Sequence, residues 1–388
     1  MTRVCLDGAN LRAGGGVTHL RELLRAADPR EAGVTEVTVF APRATLERLP
    51  EAPWLRRVDH PRLEGGLAER AFFQSVVLGP LAARHGDVLF VPGGTSATRY
   101  RPRVLMCRNM LPFDPVERAR FGLSRTRARL TALRALQARS FAAADGLIFL
   151  TGYARDAVTP LLGRVPPAVA VIPHGVDTRF VMSPRPARPL GAASVHDPLR
   201  IIMVSQLSPY KHQDTVIEAV RGLRAEGLPV RLDLYGPGEI AAVRRAVERQ
   251  IHEADPAGHF LAWQGPVDFG AIHATYQHAE VFVFASSCEN MPNTLLEAMA
   301  AGLPIACARR GPMPEVLGDA GVYFDPDDPA SLRAALRPLL ADPERREALA
   351  AAALARALTY TWSRTAADTW GFVRRVAAGP SEAPCAGS

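Results

Sequence analysis

Short apolar runs rich in β-branched residues alternate with longer amphipathic stretches along almost the whole chain, and few folds accept that pattern. Residues 3–7, 37–41, 88–92, 104–107, 146–150 and 169–173 read as a first series of strands. Residues 199–205, 230–235, 259–263, 281–285, 304–308 and 322–324 read as a second. Helical patterns, such as 214–226 and 240–254, fall between them. Strand, helix, strand in this order predicts parallel sheets, because a parallel pair needs a crossover and the crossover helices cover both faces. With 388 residues, of which 48% are apolar, the chain exceeds one ordinary core and predicts two α/β domains.

The composition breaks at 183–198, which holds Pro184, Pro186, Pro189, Pro198 and Gly191. This stretch reads as a linker between a Rossmann-like N-terminal domain, 1–182, and a Rossmann-like C-terminal domain, 199–361. The final helical segment, 362–378, is expected to cross back onto the first domain, and 379–388 to form a disordered tail. Five scattered cysteines show neither zinc-site spacing nor an even disulfide framework, so reduced thiols are expected. No secretory h-region opens the chain and no run approaches the roughly 18 apolar residues of a membrane span, which predicts a cytoplasmic location. The net charge of +7 favours anionic partners without choosing among them.

The most informative segment runs from Ser286 to Pro304: Ser-Ser-Cys-Glu-Asn-Met-Pro-Asn-Thr-Leu-Leu-Glu-Ala-Met-Ala-Ala-Gly-Leu-Pro. It follows an apolar strand with a polar loop and then a helix, which Gly302 stops and Pro304 cannot continue. Glu289 thus falls beyond the carboxyl end of a strand, where open α/β sheets bind ligands, and Glu297 on the helix behind it. The helix start at Asn293 and Thr294 suits a diphosphate. Glu297 suits two ribose hydroxyls, and Glu289 the hydroxyls of a sugar. Glu289, seven residues, then Glu297-Ala-Met-Ala-x-Gly-x-Pro closely resembles the donor-site signature of retaining glycosyltransferases in glycosyltransferase family 4.

That resemblance implies the GT-B architecture, two Rossmann-like domains with parallel sheets facing across a cleft, and a nucleotide diphosphate sugar as co-substrate with no other cofactor. It extends to the loop Gln206-Leu-Ser-Pro-Tyr-Lys211, where Lys211 matches the lysine on the donor diphosphate. Gln206 stands where the family usually has an arginine; it can hydrogen-bond a phosphate but cannot neutralise it. Asn290, Met291, Pro292, Asn293 and Thr294 complete the donor loop. In the first domain, Gly14-Gly15-Gly16 is not a dinucleotide fingerprint; Gly15 and Gly16 match the family's phosphate-covering loop. Arg108-Asn109 replaces the His-Asp pair common in the family, and Asn109 donates to a sugar hydroxyl but cannot act as a base. His174, in Pro-His-Gly-Val-Asp, matches an interdomain hinge element beside the cleft. The resemblance thus implies catalytic roles for Lys211, Glu289 and Asn109, and acceptor or cleft positions for Arg108, Asn109 and His174.

The resemblance also implies retention of configuration, with the leaving phosphate taking the acceptor proton. Lys211, the helix start and the glycine loop would stabilise the growing phosphate charge in place of a metal, so metal independence is expected. The acceptor class stays open among saccharides, lipid-linked sugars and small metabolites. Eleven arginines between 99 and 139, opposed only by Asp114 and Glu117, read as a basic amphipathic surface for an anionic membrane. No nucleic-acid motif accompanies this charge, so no nucleic-acid partner is expected. Competing readings are a GT-B phosphorylase or epimerase, and a non-catalytic nucleotide-sugar binding protein.

Overall fold

The computed structural model describes residues 1–12, 14–183, 185–268 and 270–379, so the tail expected at 379–388 lies outside it from residue 380 onward. The chain forms two compact units. The first comprises Met1–Phe113, Arg125–Gly175 and the chain from Thr361 onward; the second comprises Asp114–Ser124 and Val176–Tyr360.

In the first unit, β1 (Thr2–Asp7), β2 (Val34–Phe40), β3 (Leu55–Val58), β4 (Val88–Val91), β5 (Arg103–Met106), β6 (Gly146–Phe149) and β7 (Ala168–Val171) form one sheet. Its order is β3-β2-β1-β4-β5-β6-β7, and every neighbouring pair is parallel. The order reverses between β1 and β4, which leaves a crevice at their carboxyl ends. Val4, Leu6, Val37, Val39, Phe90, Leu105 and Ile148 are fully buried, as a sheet covered on both faces requires. β3 has no counterpart among the expected strands. Its sequence, Leu-Arg-Arg-Val, belongs to a half-exposed edge strand, which lacks the continuous apolar run of a central one.

The helix Trp362–Ala378 packs on this first sheet, as expected. Gly146 lets it approach, since a Cβ there would lie 2.8 Å from Val376. Trp370 is fully buried, and the Thr365 hydroxyl donates to the Pro173 carbonyl over 2.8 Å.

The second unit holds β8 (Leu199–Val204), β9 (Val230–Tyr235), β10 (Leu261–Gly265), β11 (Val281–Phe284), β12 (Ile305–Ala308) and β13 (Val322–Phe324). Its all-parallel order is β10-β9-β8-β11-β12-β13, with the reversal between β8 and β11. Helix Gln213–Ala225 buries Val216, Ile217, Val220 and Leu223, one apolar stripe at helical spacing.

Two stretches depart from the sequence reading. Residues 185–198 of the stretch read as a linker lie within the second unit. Arg188 pairs with Asp197 at 2.6 Å and Glu280 at 3.3 Å, and the buried Arg346 guanidinium donates to the Arg188 carbonyl. Asp114–Ser124, expected within the first domain, belongs to the second unit. Arg120 bonds Glu117 and Asp327, each at 2.7 Å, and the Phe121 ring lies 6.5 Å from that of Tyr210.

Helix Arg125–Ala142 in the first unit exposes Arg125, Arg129 and Arg139 but is not amphipathic, contrary to expectation. Leu130, Gln137 and Phe141 share its buried face, Arg134 flanks that face, and Leu136 lies exposed on another. Among the described residues no helix is long and apolar enough to cross a membrane.

Candidate functional site

The loops after β8 and β11 meet at the switch point of the second sheet. The Ser287 amide donates to the Tyr210 carbonyl over 2.9 Å, and the Ser287 hydroxyl donates to the same oxygen over 3.3 Å. His212 Nε2 lies 2.9 Å from Ser287 Oγ. This clasp brings Lys211 and Glu289 together, and the Lys211 ammonium donates to Glu289 Oε1. Lys211 is only 9% exposed, with its ammonium 5.2 Å from the Tyr210 ring and 5.9 Å from that of Phe284. Burial alone would depress its pKa. The Glu289 carboxylate, helped by Tyr210, outweighs that, so the group is held above the ordinary lysine value and stays charged.

The backbone explains why this lysine is buried. A short turn, Pro209–Lys211, ends at His212, which has φ 53° and precedes helix Gln213–Ala225. A left-handed residue other than glycine costs about 1–2 kcal/mol, and the buried bond to Ser287 helps hold it. Ser287, His212 and Asp327, with His212 Nδ1 3.7 Å from Asp327, mimic a nucleophilic triad. The Ser287 hydroxyl is instead aimed at a carbonyl and is nearly inaccessible, so the arrangement is a clasp. Burial first, and Arg120 second, push His212 below its ordinary value, which leaves its ring neutral at pH 7.

Asn290, Met291 and Pro292 are buried beneath the loop, while Asn293 and Thr294 reach the surface at the start of helix Asn293–Ala300. Pro292, at its cap position, makes no side-chain hydrogen bond to that start. Glu297 is partly buried one turn further on, and its Oε2 accepts from the Tyr276 hydroxyl over 2.8 Å. Burial lifts Glu297 to about 7, against the opposing pull of Tyr276 and Arg179. Gln206 is exposed, and its amide donates to the Tyr210 hydroxyl over 2.9 Å. The sequence reading missed Tyr210, Tyr276 and His212. Tyr276 lies 21 residues from Glu297 in a short helix that carries no motif, so only the folded chain pairs them.

A separate cavity of about 140 Å³ in this unit is lined by Arg185, Arg188, Glu280, Pro304 and Arg346. Glu280 and Pro304 immediately precede β11 and β12, so the cavity lies at the amino edge, away from these loops.

In the first unit, Gly14 at φ 65° leads into helix Gly15–Ala26. The Arg108 guanidinium donates to the Gly15 carbonyl over 2.7 Å. A Cβ on Gly16 would lie 3.1 Å from the same guanidinium and 3.0 Å from Leu11, a tight fit that a side chain would relieve only by shifting these two. Burial lowers Arg108 to about 10, still charged at neutral pH. Asn109 is exposed, and its Oδ1 accepts from the Leu111 amide over 3.1 Å, which caps a turn. His174 does not open onto solvent. It is 4% exposed, between the His19 ring at 4.6 Å and the Trp362 ring at 5.4 Å. His19 was not singled out from sequence, although it shares the buried face of its helix with Val17, Leu20, Leu23 and Leu24. Burial, then His174 and Arg108, push it well below its ordinary value, so its ring is neutral.

Residues 13–180 match the family described as Glycosyltransferase Family 4, and residues 191–356 match glycosyl transferases group 1. O-antigen chain mannosyltransferase B of Escherichia coli is 29% identical over 171 residues, covering 43% of this chain and 44% of that protein. The GDP-mannose-dependent alpha-(1-6)-phosphatidylinositol monomannoside mannosyltransferase of Mycolicibacterium smegmatis is 30% identical over 225 residues, covering 54% and 56%. The chain thus spans about half the length of the curated relatives it matches. Among solved structures, sucrose-phosphate synthase from Thermosynechococcus elongatus superposes with a TM-score of 0.75 at 18% identity, covering 98% of this chain and 100% of that one. HepE of Anabaena in complex with UDP-glucose does so with a TM-score of 0.68 at 18% identity, covering 97% and 99%. At such identities the structural likeness speaks for the fold alone.

Proposed function

The chain belongs to glycosyltransferase family 4, and on that premise we propose that it moves a sugar from a nucleotide diphosphate sugar to an acceptor hydroxyl with retention of configuration. The observation that carries this reading is the buried Lys211–Glu289 pair at the β8/β11 switch point. In the free chain each charge neutralises the other. A bound donor exchanges both partners: the ammonium turns to a phosphate oxygen, and the carboxylate accepts from sugar hydroxyls. Glu297, on the following helix, accepts from the ribose.

In the transfer step the bond from C1 to the leaving phosphate oxygen breaks, and the acceptor oxygen bonds to C1 on the same face. The acceptor proton passes to the leaving phosphate, so no protein base is required. Lys211 and the start of helix Asn293–Ala300 stabilise the charge gathering on the diphosphate, the pre-organised electrostatic contribution that dominates many such barriers. Gln206, Asn290, Met291, Pro292, Asn293 and Thr294 shape the donor loop. Gly15 and Gly16 are assigned to phosphate contacts made by the first unit, and Arg108 and Asn109 to the acceptor, which that unit is assigned to bind.

Relatives named for GDP-mannose and for UDP-glucose set the donors to try, and relatives named for O-antigen and phosphatidylinositol mannoside suggest a surface saccharide or glycolipid acceptor. The full chain, incubated with UDP- and GDP-sugars in the presence of a chelator, should slowly release nucleoside diphosphate from one donor. Proton NMR of the released or transferred sugar should show the donor's anomeric configuration. Binding without release would reject catalysis, an inverted anomer would reject retention, and rescue only by a divalent ion would reject metal independence.

We also propose peripheral contact with anionic membranes through the exposed arginines of helix Arg125–Ala142, by charge rather than by insertion of an apolar face. Sedimentation with vesicles containing phosphatidylserine should fall steeply as salt shortens the Debye length from about 10 Å at 0.1 M to about 3 Å at 1 M. Co-sedimentation that persists at 1 M salt would reject an electrostatic contact.

A further inference from the structure

Two arginines at the carboxyl edge of the first sheet carry charge that nothing in their surroundings answers. Arg12 follows β1, and Arg70 lies on the helix Leu67–Phe72. Both donate to one carbonyl, that of Gly65, over 3.4 Å and 2.9 Å, and Arg12 also donates to the Glu64 carbonyl over 3.1 Å. Among the described residues neither has a carboxylate within ion-pair distance. The carboxylates close in sequence are taken elsewhere: Glu64 accepts from the Arg43 amide over 2.7 Å, and Glu69 pairs with Arg62 at 2.7 Å. Burial, and then repulsion from Arg12, lower the pKa of Arg70.

Arg70 is not loose. Its Nε donates to Asn10 Oδ1 over 3.1 Å, Asn10 Nδ2 donates to Gln74 Oε1 over 3.4 Å, and Gln74 Nε2 donates to Asp7 Oδ2 over 2.6 Å. Asp7 is buried at the end of β1, and its other oxygen accepts from the Ala9 amide over 3.0 Å. Gln74 reaches inward from a π-helical turn, Phe73–Val77, whose extra residue rotates the helix. A Cβ on Gly93, just beyond β4, would lie 4.0 Å from that of Asn10, which places this relay at the β1/β4 switch point. Two like charges that share one carbonyl, one of them braced by a relay anchored on the buried Gln74 and Asp7, repel each other unless an anion joins them.

We propose that Arg12 and Arg70 bind a phosphate ester carried by the acceptor. This deepens the assignment of the acceptor to the first unit, and rests on it. Guanidinium forks suit the oxygens of a phosphate, and bidentate pairing is their strong mode. The same segment exposes Leu67, Phe72 and Val76, so the ester has two sources to separate, a soluble phosphorylated polyol and a lipid phosphate.

The full chain, saturated with the nucleoside diphosphate of its donor, is titrated with sn-glycerol 3-phosphate and with glycerol. In a background of R125Q, R129Q and R139Q, which removes the membrane contact proposed for helix Arg125–Ala142, it is also sedimented with phosphatidylcholine vesicles with and without phosphatidic acid, at matched ionic strength. Glycerol 3-phosphate should bind and glycerol should not. R12Q and R70Q should each weaken the complex by roughly tenfold or more, the loss of a charge-assisted hydrogen bond, while R70K retains part of the affinity. If only phosphatidic acid captures the chain, and the double variant R12Q/R70Q abolishes capture, the ester is lipid-borne and the site stands. Equal phosphate binding by a folded double variant, capture by phosphatidic acid that survives it, or binding to neither probe would overturn the site. Turnover of donor tests the transferase reading separately, since these measurements need no transfer.

Discussion

Lys211→Ala is expected to lower kcat by about 10²–10³-fold, the usual effect of removing one pre-organised group from a developing negative charge. The case rests on placement. The ammonium is buried, kept charged by Glu289, and seated where the β8 and β11 loops converge. The same substitution strands the Glu289 carboxylate, and breaking a buried pair in this way costs about 3–5 kcal/mol of stability. The melting temperature should therefore fall with the rate. Adding Glu289→Gln to Lys211→Ala separates the two effects, because it removes the stranded charge and should recover stability without recovering kcat. Steady-state kinetics beside thermal denaturation of the unmodified chain and these two variants decides the matter. A loss below tenfold in Lys211→Ala, or a rate restored by the double substitution, would reject a phosphate role for the ammonium.

Donor affinity should rise between pH 6 and pH 8, because a ribose hydroxyl donates best to an ionised carboxylate and burial holds Glu297 at about 7. The stability of the free protein should move the other way. The folded-state pKa lies above the ordinary value of 4.5, so the folded chain keeps a proton that the unfolded chain has lost. That contribution is complete below the unfolded value and fades as pH climbs toward 7. Glu297→Gln should flatten both trends and weaken donor binding by about 1.5–3 kcal/mol, roughly 10- to 100-fold in Kd. Calorimetric titration with the nucleotide sugar across this range is the measurement. A Kd independent of pH in the unmodified chain would remove Glu297 from the ribose.

Much of the fold was legible because its strands are buried on both faces. Val281–Phe284 and Val230–Tyr235 announce themselves by composition, and their helices by spacing. β3 was not legible, since an edge strand can carry Arg56 and Arg57 at little cost. In the site, the loop 286–297 and Lys211 could be read as local strings, and the fold places them at one sheet edge. Their partners could not be read. Tyr276 meets Glu297 only through the tertiary fold, and Arg120 reaches Asp327 across 207 residues. Proline and glycine mark irregular backbone without saying what holds it, and residues 185–198 are tied down by Arg188 and Arg346. Asn109 and His174 show a related gap, since a motif gives a residue's neighbourhood but not whether its polar atoms are spent on a turn or enclosed among rings.

The excursion at Asp114–Ser124 means that the backbone passes between the units four times, at 113/114, 124/125, 175/176 and 360/361. No single peptide bond can therefore be cut to yield two whole halves. A split after residue 182 leaves the front piece without its closing helix, and the rear piece without the strand of chain that carries Arg120 and Phe121 to Asp327 and Tyr210. Independent expression of either half is a poor route to its ligand, whereas a nicked but intact molecule can stay together through the remaining passages.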